Sequence, residues 1–167
     1  TLPNLLKEQL KEDMKNALKS GDSSKRTLLG MVMSSIKNKE LEKRGKLLKT
    51  VSDPVQLDAE SQLTEQETMD VLASEVKRRR DSVVEFEKGG RPELAEAERA
   101  EAEALMAYLP EQLSDDALRS LVQKAISSTG ATTVKDMGKV MGALKSELKG
   151  NADGQRVSAM VKELLSK

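Results

Sequence analysis

Apolar residues recur at intervals of three and four positions along most of this chain, which is the spacing of one face of an α-helix. The first such stretch runs from about Asn4 to Ser20 and ends at Gly21. Asp22 or Ser23 then caps a second helix. The inward positions are predicted to be Leu6, Leu10, Met14 and Ala17 in the first helix and Leu28, Leu29, Val32, Met33 and Ile36 in the second.

The middle of the chain contains one long break in this pattern. Residues 45–62 lose helical periodicity and include Pro54, which predicts a mobile loop. A capping box at Thr64–Glu67 then opens a third helix, Gly89–Gly90 ends it, and Pro92 stands in the first turn of a fourth. The inward positions of the third helix are predicted to be Met69, Leu72, Ala73, Val76 and Val83.

The segment from Tyr108 to Pro110 interrupts the helical pattern and marks the expected domain boundary. We therefore predict two domains, 1–109 and 110–167. Since every predicted element is a helix, the expected fold class is all-α, with N-terminal helical hairpins followed by a compact three-helix domain. The helices of this second domain begin after caps at Ser114, Thr133 and Asp153.

The penultimate helix has two distinct faces. Its apolar face carries Met137, Val140, Met141, Leu144 and Leu148. A second stripe carries Gly138, Gly142, Lys145 and Lys149, with Lys135 and Lys139 just beyond it. Glycine inside a helix costs about 1 kcal/mol relative to alanine, so the two glycines require a reason. Either they let a phosphate backbone approach lysines that neutralise it, or they permit close packing of another helix beside solvated lysines.

Composition excludes several kinds of chemistry. The 167 residues include no His and no Cys, so zinc sites of the usual kind, Ser-His-Asp triads, Cys nucleophiles and disulfides are excluded within this chain. We predict no catalytic residue, no metal site and no cofactor. Aromatic content of 1% argues against single-strand binders that stack bases. No apolar run approaches the ~18 residues of a membrane span, so no membrane partner is expected.

The net charge of +0 conceals strong segregation of charge. Residues 1–50 hold 12 basic and 6 acidic side chains, residues 51–110 hold 7 and 15, and residues 111–167 hold 9 and 7. The acidic centre includes a glutamate-rich fourth helix, interpreted as a solvated face. Lys7, Lys11 and Lys15 are either further phosphate contacts or a solvated helix face, the second being the default.

Three consecutive arginines lie in the third helix. Arg78 and Arg79 are candidate phosphate contacts. Arg80 falls close to the predicted buried line, where a charge needs a partner, and Glu98 or Glu101 could supply one. An interhelical ion pair is the favoured role for Arg80.

Four segments carry a family resemblance. In order, they are IKNKE (36–40), VKRRRDSVVEFEKGGR (76–91), YLPEQLS (108–114) and VKDMGKVMGALKSELKGNADGQRV (134–157). Together they resemble the GatB/YqeY family in its short, stand-alone YqeY form. The last segment is also similar to the C-terminal tail of the B subunit of glutamyl/aspartyl-tRNA amidotransferase. Gly30 stands where the family usually has an arginine, and residues 45–62 resemble an insertion.

The resemblance implies an all-helical protein with a three-helix tail domain. In the amidotransferase that tail approaches the tRNA body, and the family is associated with carbon–nitrogen ligase activity that uses glutamine as amido donor. The catalytic parts of that enzyme lie in regions that this chain does not resemble. The expected location is the cytoplasm, with the mitochondrial matrix, after removal of a transit peptide, as the alternative; both suit the resemblance.

These observations leave three functional hypotheses. The leading one is a non-catalytic accessory protein that binds tRNA or other structured RNA through Lys135, Gly138, Lys139, Gly142, Lys145 and Lys149. The alternative is a protein-interaction module that docks on an amidotransferase or aminoacyl-tRNA synthetase subunit without RNA contact. The third is an amide ligase in its own right, from which the purified chain would release ammonia from glutamine.

Overall fold

The computed structural model describes residues 4–148 and 150–167, and that part of the chain is all-α, as predicted. It contains eight α-helices and one short 3-10 helix, Val134–Asp136, directly before α7. No helix in the described ranges is long and apolar enough to cross a membrane. The α-helices are α1 (Leu5–Ser20), α2 (Ser23–Leu47), α3 (Pro54–Glu60), α4 (Glu65–Lys88), α5 (Pro92–Met106), α6 (Asp115–Thr129), α7 (Met137–Leu148) and α8 (Gly154–Leu165).

The helices gather into two compact units, one up to Tyr108 and one from Leu109 onward. In the first unit α1 packs on α2, and α4 pairs along its length with α5. Its fully buried side chains include Leu10, Leu29, Val32, Ile36, Leu72 and Leu105. Compactness does not show that either unit folds alone, so the domain division at 1–109 and 110–167 stays a prediction.

Local capping explains where the helices of the first unit begin. The Asn4 side chain accepts a hydrogen bond from the Lys7 amide at the start of α1, and Asp22 caps α2 in the same way. At α4, Thr64 and Glu67 exchange the two reciprocal bonds of a capping box. Each cap satisfies end amides that have no partner within the helix, and these predicted starts are confirmed.

The predicted loop at residues 45–62 is wrong over 45–47 and 54–60, which are helical. Helix α2 continues to Leu47, and Pro54 occupies the first turn of α3, a helix of 7 residues. The Asp53 carboxylate accepts the Gln56 amide at 2.8 Å and so caps this helix. Leu57, only 4% exposed, anchors α3 against α2. A helix this short, with one buried side chain, shows no periodicity in the sequence. Its start could still have been predicted, because a proline follows the aspartate that caps the helix.

Arg79, rather than Arg80, makes the buried ion pair between α4 and α5. Its guanidinium lies 2.7 Å from Glu75 Oε2 and 2.9 Å from Glu101 Oε2, with 4% of the side chain exposed. Burial opposes the charge, but these hydrogen bonds raise the pKa of Arg79. Arg80 is exposed. Neighbouring residues of a helix are rotated by about 100° about its axis, so a shift of one residue was enough to assign the buried position to Arg80 instead of Arg79. Arg79 is therefore not available to phosphates.

Lys7 also has a different role from the one expected. Its ammonium lies 2.9 Å from both carboxylate oxygens of Glu40, and the two side chains are each only 11% exposed. Glu40 also accepts a hydrogen bond from the Leu63 amide at 3.3 Å. This ion pair ties α1 to α2, so Lys7 is neither a solvated residue nor a phosphate contact. Lys11 and Lys15 are exposed.

The second unit is a three-helix arrangement in which α6, α7 and α8 contact one another. Gly130 ends α6 with a φ of 68°, and the Asp153 side chain caps α8. Between α7 and α8, the Asn151 carbonyl accepts the Leu113 amide at 2.8 Å and thereby joins this turn to the segment before α6. The fully buried side chains of the core are Leu118, Val122, Val140, Leu144, Val157 and Val161.

Candidate nucleic-acid interface

A short 3-10 turn fixes the start of α7. The Asp136 carboxylate accepts hydrogen bonds from the Thr132 amide at 3.0 Å and the Thr133 amide at 3.2 Å. The bond from Thr132 and, after it, the bond from Thr133 make the largest contributions to lowering the pKa of Asp136. Asp136 therefore stays ionised near the positive end of the helix. The chain therefore enters α7 in a fixed orientation.

The inward face of α7 sets which side of the helix faces outward. Val140, Leu144 and Leu148 are buried, and Met137 and Met141 are half-buried against the same core. This is the predicted apolar face. Because the face is anchored at three successive turns, the rotation of α7 about its axis is fixed by packing.

The glycine stripe of α7, which is rotated roughly 110° from the apolar face, is open to solvent. Gly138 and Gly142 are exposed, and a Cβ added at either position would meet no atom within 4 Å. The described parts of the chain therefore do not require glycine here for close packing. An approaching molecule could reach the helix backbone at both positions.

Exposed lysines flank the two glycines. Lys135, Lys139 and Lys145 are all exposed, and Lys149 lies outside the described residues. The Lys139 ammonium is 3.9 Å from Asp136 Oδ1 with 72% of its side chain exposed, which is a weak surface pair. Within the described ranges, Lys135 and Lys145 form no ion pair. At a rise of about 1.5 Å per residue, Lys139 and Lys145 are offset by roughly 9 Å along the helix, enough to face separate phosphates.

The remaining sequence-predicted cations belong to the first unit. Arg78 is exposed and lies 3.5 Å from Glu75. Lys11 is 3.3 Å from Glu8, again on the surface. Lys15 is exposed and forms no ion pair with any described residue. These three stay candidate phosphate contacts, in contrast to Lys7 and Arg79.

A groove between α2 and α4 escaped the sequence analysis. Its volume is about 560 Å³, and both Arg78 and the buried Glu75 line it. Glu75 is 3% exposed and accepts hydrogen bonds from Ser35 and Arg79, which outweigh burial and lower its pKa. A carboxyl held ionised in this way is unsuited to general acid catalysis near neutral pH. The sequence does offer a signal for the ion pair that lies beside this groove, because Glu75 and Arg79 are four residues apart and therefore neighbours on one face of a helix.

The sequence model of the Yqey-like protein family matches residues 7–165, which include both units and the whole of α7. The chain belongs to the Yqey-like family. The Yqey-like assignment agrees with the resemblance found in the sequence, and it covers nearly the whole chain.

Three curated relatives of this Yqey-like chain share the name "Altered inheritance of mitochondria protein 41, mitochondrial". The protein from Candida glabrata is 32% identical over 111 residues, which are 66% of this chain and 53% of that protein. The one from Eremothecium gossypii is 32% identical over 100 residues, which are 60% of this chain and 46% of that protein. The one from Kluyveromyces lactis is 33% identical over 99 residues, which are 59% of this chain and 45% of that protein. This Yqey-like chain thus spans about half the length of the curated relatives it matches.

Proposed function

We propose that this chain is an accessory protein, without an active site of its own, that binds structured RNA through the outer face of α7. The observation that carries the proposal is the open glycine stripe at Gly138 and Gly142, flanked by exposed lysines. Membership of the Yqey-like family supports an accessory role related to the tail of the amidotransferase B subunit. Transfer RNA is the proposed ligand because that tail approaches tRNA.

Recognition through shape and phosphates suits this surface better than recognition of unpaired bases. Folded RNA is bound largely through phosphates and 2′-hydroxyls, whereas unpaired bases are usually stacked on aromatic rings. The chain has one Tyr and one Phe, and neither lies in the second unit. A lysine contributes to phosphate binding as a flexible point charge and needs no aromatic support.

A charge reversal tests this proposal directly. We expect Lys135→Glu, Lys139→Glu and Lys145→Glu together to abolish tRNA binding in a filter assay while circular dichroism stays unchanged. For the wild type, the slope of log affinity against log salt should be steep, since each phosphate contact contributes roughly 0.7 to 0.9. A matched control reverses Lys39, Lys77 and Lys88, three ion-paired lysines of the first unit, of which Lys77 is half-buried. Equal tRNA binding by the two triple variants would refute the assignment to α7.

Docking of a protein is the second candidate function, because the open space at Gly138 and Gly142 would also admit a partner helix. A subunit of an amidotransferase or aminoacyl-tRNA synthetase is the proposed partner in that case. Copurification that survives nuclease and high salt would favour this candidate over RNA. Ammonia release from glutamine by the purified chain would instead favour an enzyme and contradict both.

The mitochondrial names of the relatives support a mitochondrial location for this chain, which was the alternative in the sequence analysis, whereas the cytoplasmic location expected there gains no support from them. Cell fractionation followed by detection of the native protein tests this. Recovery in the cytosolic fraction alone would contradict the mitochondrial assignment.

A further inference from the structure

The turn between α1 and α2 brings two helix ends close together. Only Gly21 and Asp22 separate Ser20, the last residue of α1, from Ser23, the first of α2. Gly21 adopts a φ of 76°, and the Asp22 amide donates to the Ala17 carbonyl at 2.9 Å. The final turn of α1 and the first turn of α2 therefore lie side by side at one tip of this hairpin.

Four cations flank this turn along the chain, and we call them the hairpin-tip cluster: Lys15, Lys19, Lys25 and Arg26. All four are exposed, and none forms an ion pair with any residue in the described ranges. Between Lys15 and Arg26 the sequence has one carboxylate, that of Asp22. Asp22 already accepts the Lys25 amide at 3.0 Å as the helix cap. The positive charge of the cluster thus has little local compensation.

Two members of the cluster, Lys25 and Arg26, occupy positions that are unfavourable for stability, whereas Lys19 lies in the last turn of α1, where the helix dipole favours a cation. Lys25 and Arg26 lie in the first turn of α2, which contains no acidic residue, and the positive end of the helix dipole repels cations there. Other helices of this chain follow the favourable pattern, with Glu65 in the first turn of α4 and Asp115 in that of α6. Residues whose positions lower the stability of the fold are expected at sites where function requires them.

We propose that the hairpin-tip cluster is a second phosphate-binding surface for structured RNA, carried by the first unit. This inference rests on the proposed function and adds a contact to that of α7. The lysines would neutralise phosphates as point charges, and the guanidinium of Arg26 has the geometry to bind a phosphate through two hydrogen bonds. The Ser23 and Ser24 hydroxyls are exposed beside the cluster and supply further donors to phosphate oxygens.

The surroundings of the cluster favour RNA over an anionic membrane. In the segment 15–26, Leu18 is the exposed large apolar side chain, at 55%, and its exposed neighbours are polar. Stable binding to a membrane interface requires a wider apolar face that enters the lipid. A single leucine provides little of that surface, whereas phosphate contacts need only accessible cations and donors.

The test uses the full chain and total tRNA across a salt titration. The tip variant changes Lys15, Lys19, Lys25 and Arg26 to Gln, and it is expected to lower the magnitude of the salt slope by up to about 3. Its thermal midpoint should change little, because the gain from removing Lys25 and Arg26 at the positive end of α2 offsets the loss of Lys19 at the negative end of α1. The matched control also removes four charges, each from a cation that has a carboxylate partner: Lys39, Lys77, Lys88 and Arg91.

The possible results separate this inference from the proposed function. Unchanged affinity and slope in the tip variant, with loss of binding in the α7 variant, overturn the tip assignment alone. Loss in the tip variant with none in the α7 variant supports the tip and overturns the α7 assignment. No binding of tRNA by the wild type overturns both. Tip-dependent binding to phosphatidylserine vesicles, without tip dependence for tRNA, also overturns this inference and assigns the tip to membranes.

Discussion

Replacing the exposed glycines of α7 by alanine should stabilise the protein. Gly142 lies near the middle of this 12-residue helix, and an added Cβ would meet no atom within 4 Å. Gly142→Ala therefore gains helix propensity without a steric cost, worth about 1 kcal/mol. Gly138→Ala should contribute less, because Gly138 is the second residue of α7. For a unit of this size, 1 kcal/mol corresponds to roughly 4–8 °C in the unfolding midpoint.

The assay pairs urea denaturation with tRNA binding. Gly30→Ala is the matched control, since Gly30 lies within α2 and its added Cβ would also meet nothing within 4 Å. The control should raise the stability of the first unit by a similar amount and leave tRNA affinity unchanged. If RNA approaches the α7 backbone, Gly142→Ala should be more stable than the wild type and bind tRNA more weakly, and Gly142→Gln should bind more weakly still.

Two results would refute this reasoning. Destabilisation by Gly142→Ala would mean that the stripe on α7 is not open. Stabilisation with full retention of tRNA binding, even with Gln at position 142, would mean that glycine is not needed for RNA to approach. In that second case the lysines alone could still bind phosphate, but the glycines would have no role in it.

Three further predictions concern the first unit. Replacing Arg79 by Met should cost about 3–5 kcal/mol in urea unfolding, because it removes the buried cation of Glu75 and leaves the exposed Arg78 at 3.5 Å; a loss below 1 kcal/mol would contradict this. Because the pKa of Glu75 is lowered from 4.5, its stabilisation is present above pH 4.5 and is lost as pH falls through the folded-state value. In a plot of unfolding free energy against pH, Glu75→Gln should therefore make the fall at low pH less steep. An unchanged fall would exclude Glu75 as a cause of this loss of stability. Replacing Leu57 by Ala should cost about 2–5 kcal/mol if α3 is docked, as calorimetry would show, and a neutral effect would mean that α3 contributes little.

Sequence reasoning succeeded where the governing interactions are local. The caps at Asn4, Asp22 and Thr64 involve side chains within three residues of the amides they satisfy, so composition and spacing reveal them. The apolar face of α7 was readable for the same reason, because a helical period links its members. Exposure of Gly138 and Gly142 followed from that period.

Interactions between distant segments were not predictable in the same way. Lys7 pairs with Glu40, 33 positions away, and no local pattern marks either residue as buried. Arg79 reaches Glu101 across a helix pair, and periodicity over the long α4 could not separate it from Arg80. A helix as short as α3 shows too few turns to establish a period. Burial of charge is decided by tertiary packing, which a single sequence does not display.

The ion pair between Lys7 and Glu40 has a consequence for how such sequences can diverge. Losing either side chain alone would leave a desolvated charge unpaired, whereas exchanging both for apolar residues of similar volume would cost little once the Leu63 amide, which donates to Glu40, has another acceptor. Positions 7 and 40 should consequently covary among Yqey-like proteins, switching together between a charged and an apolar pair. Chains that retain just one of the two charges should be scarce, and each should carry a new polar partner nearby.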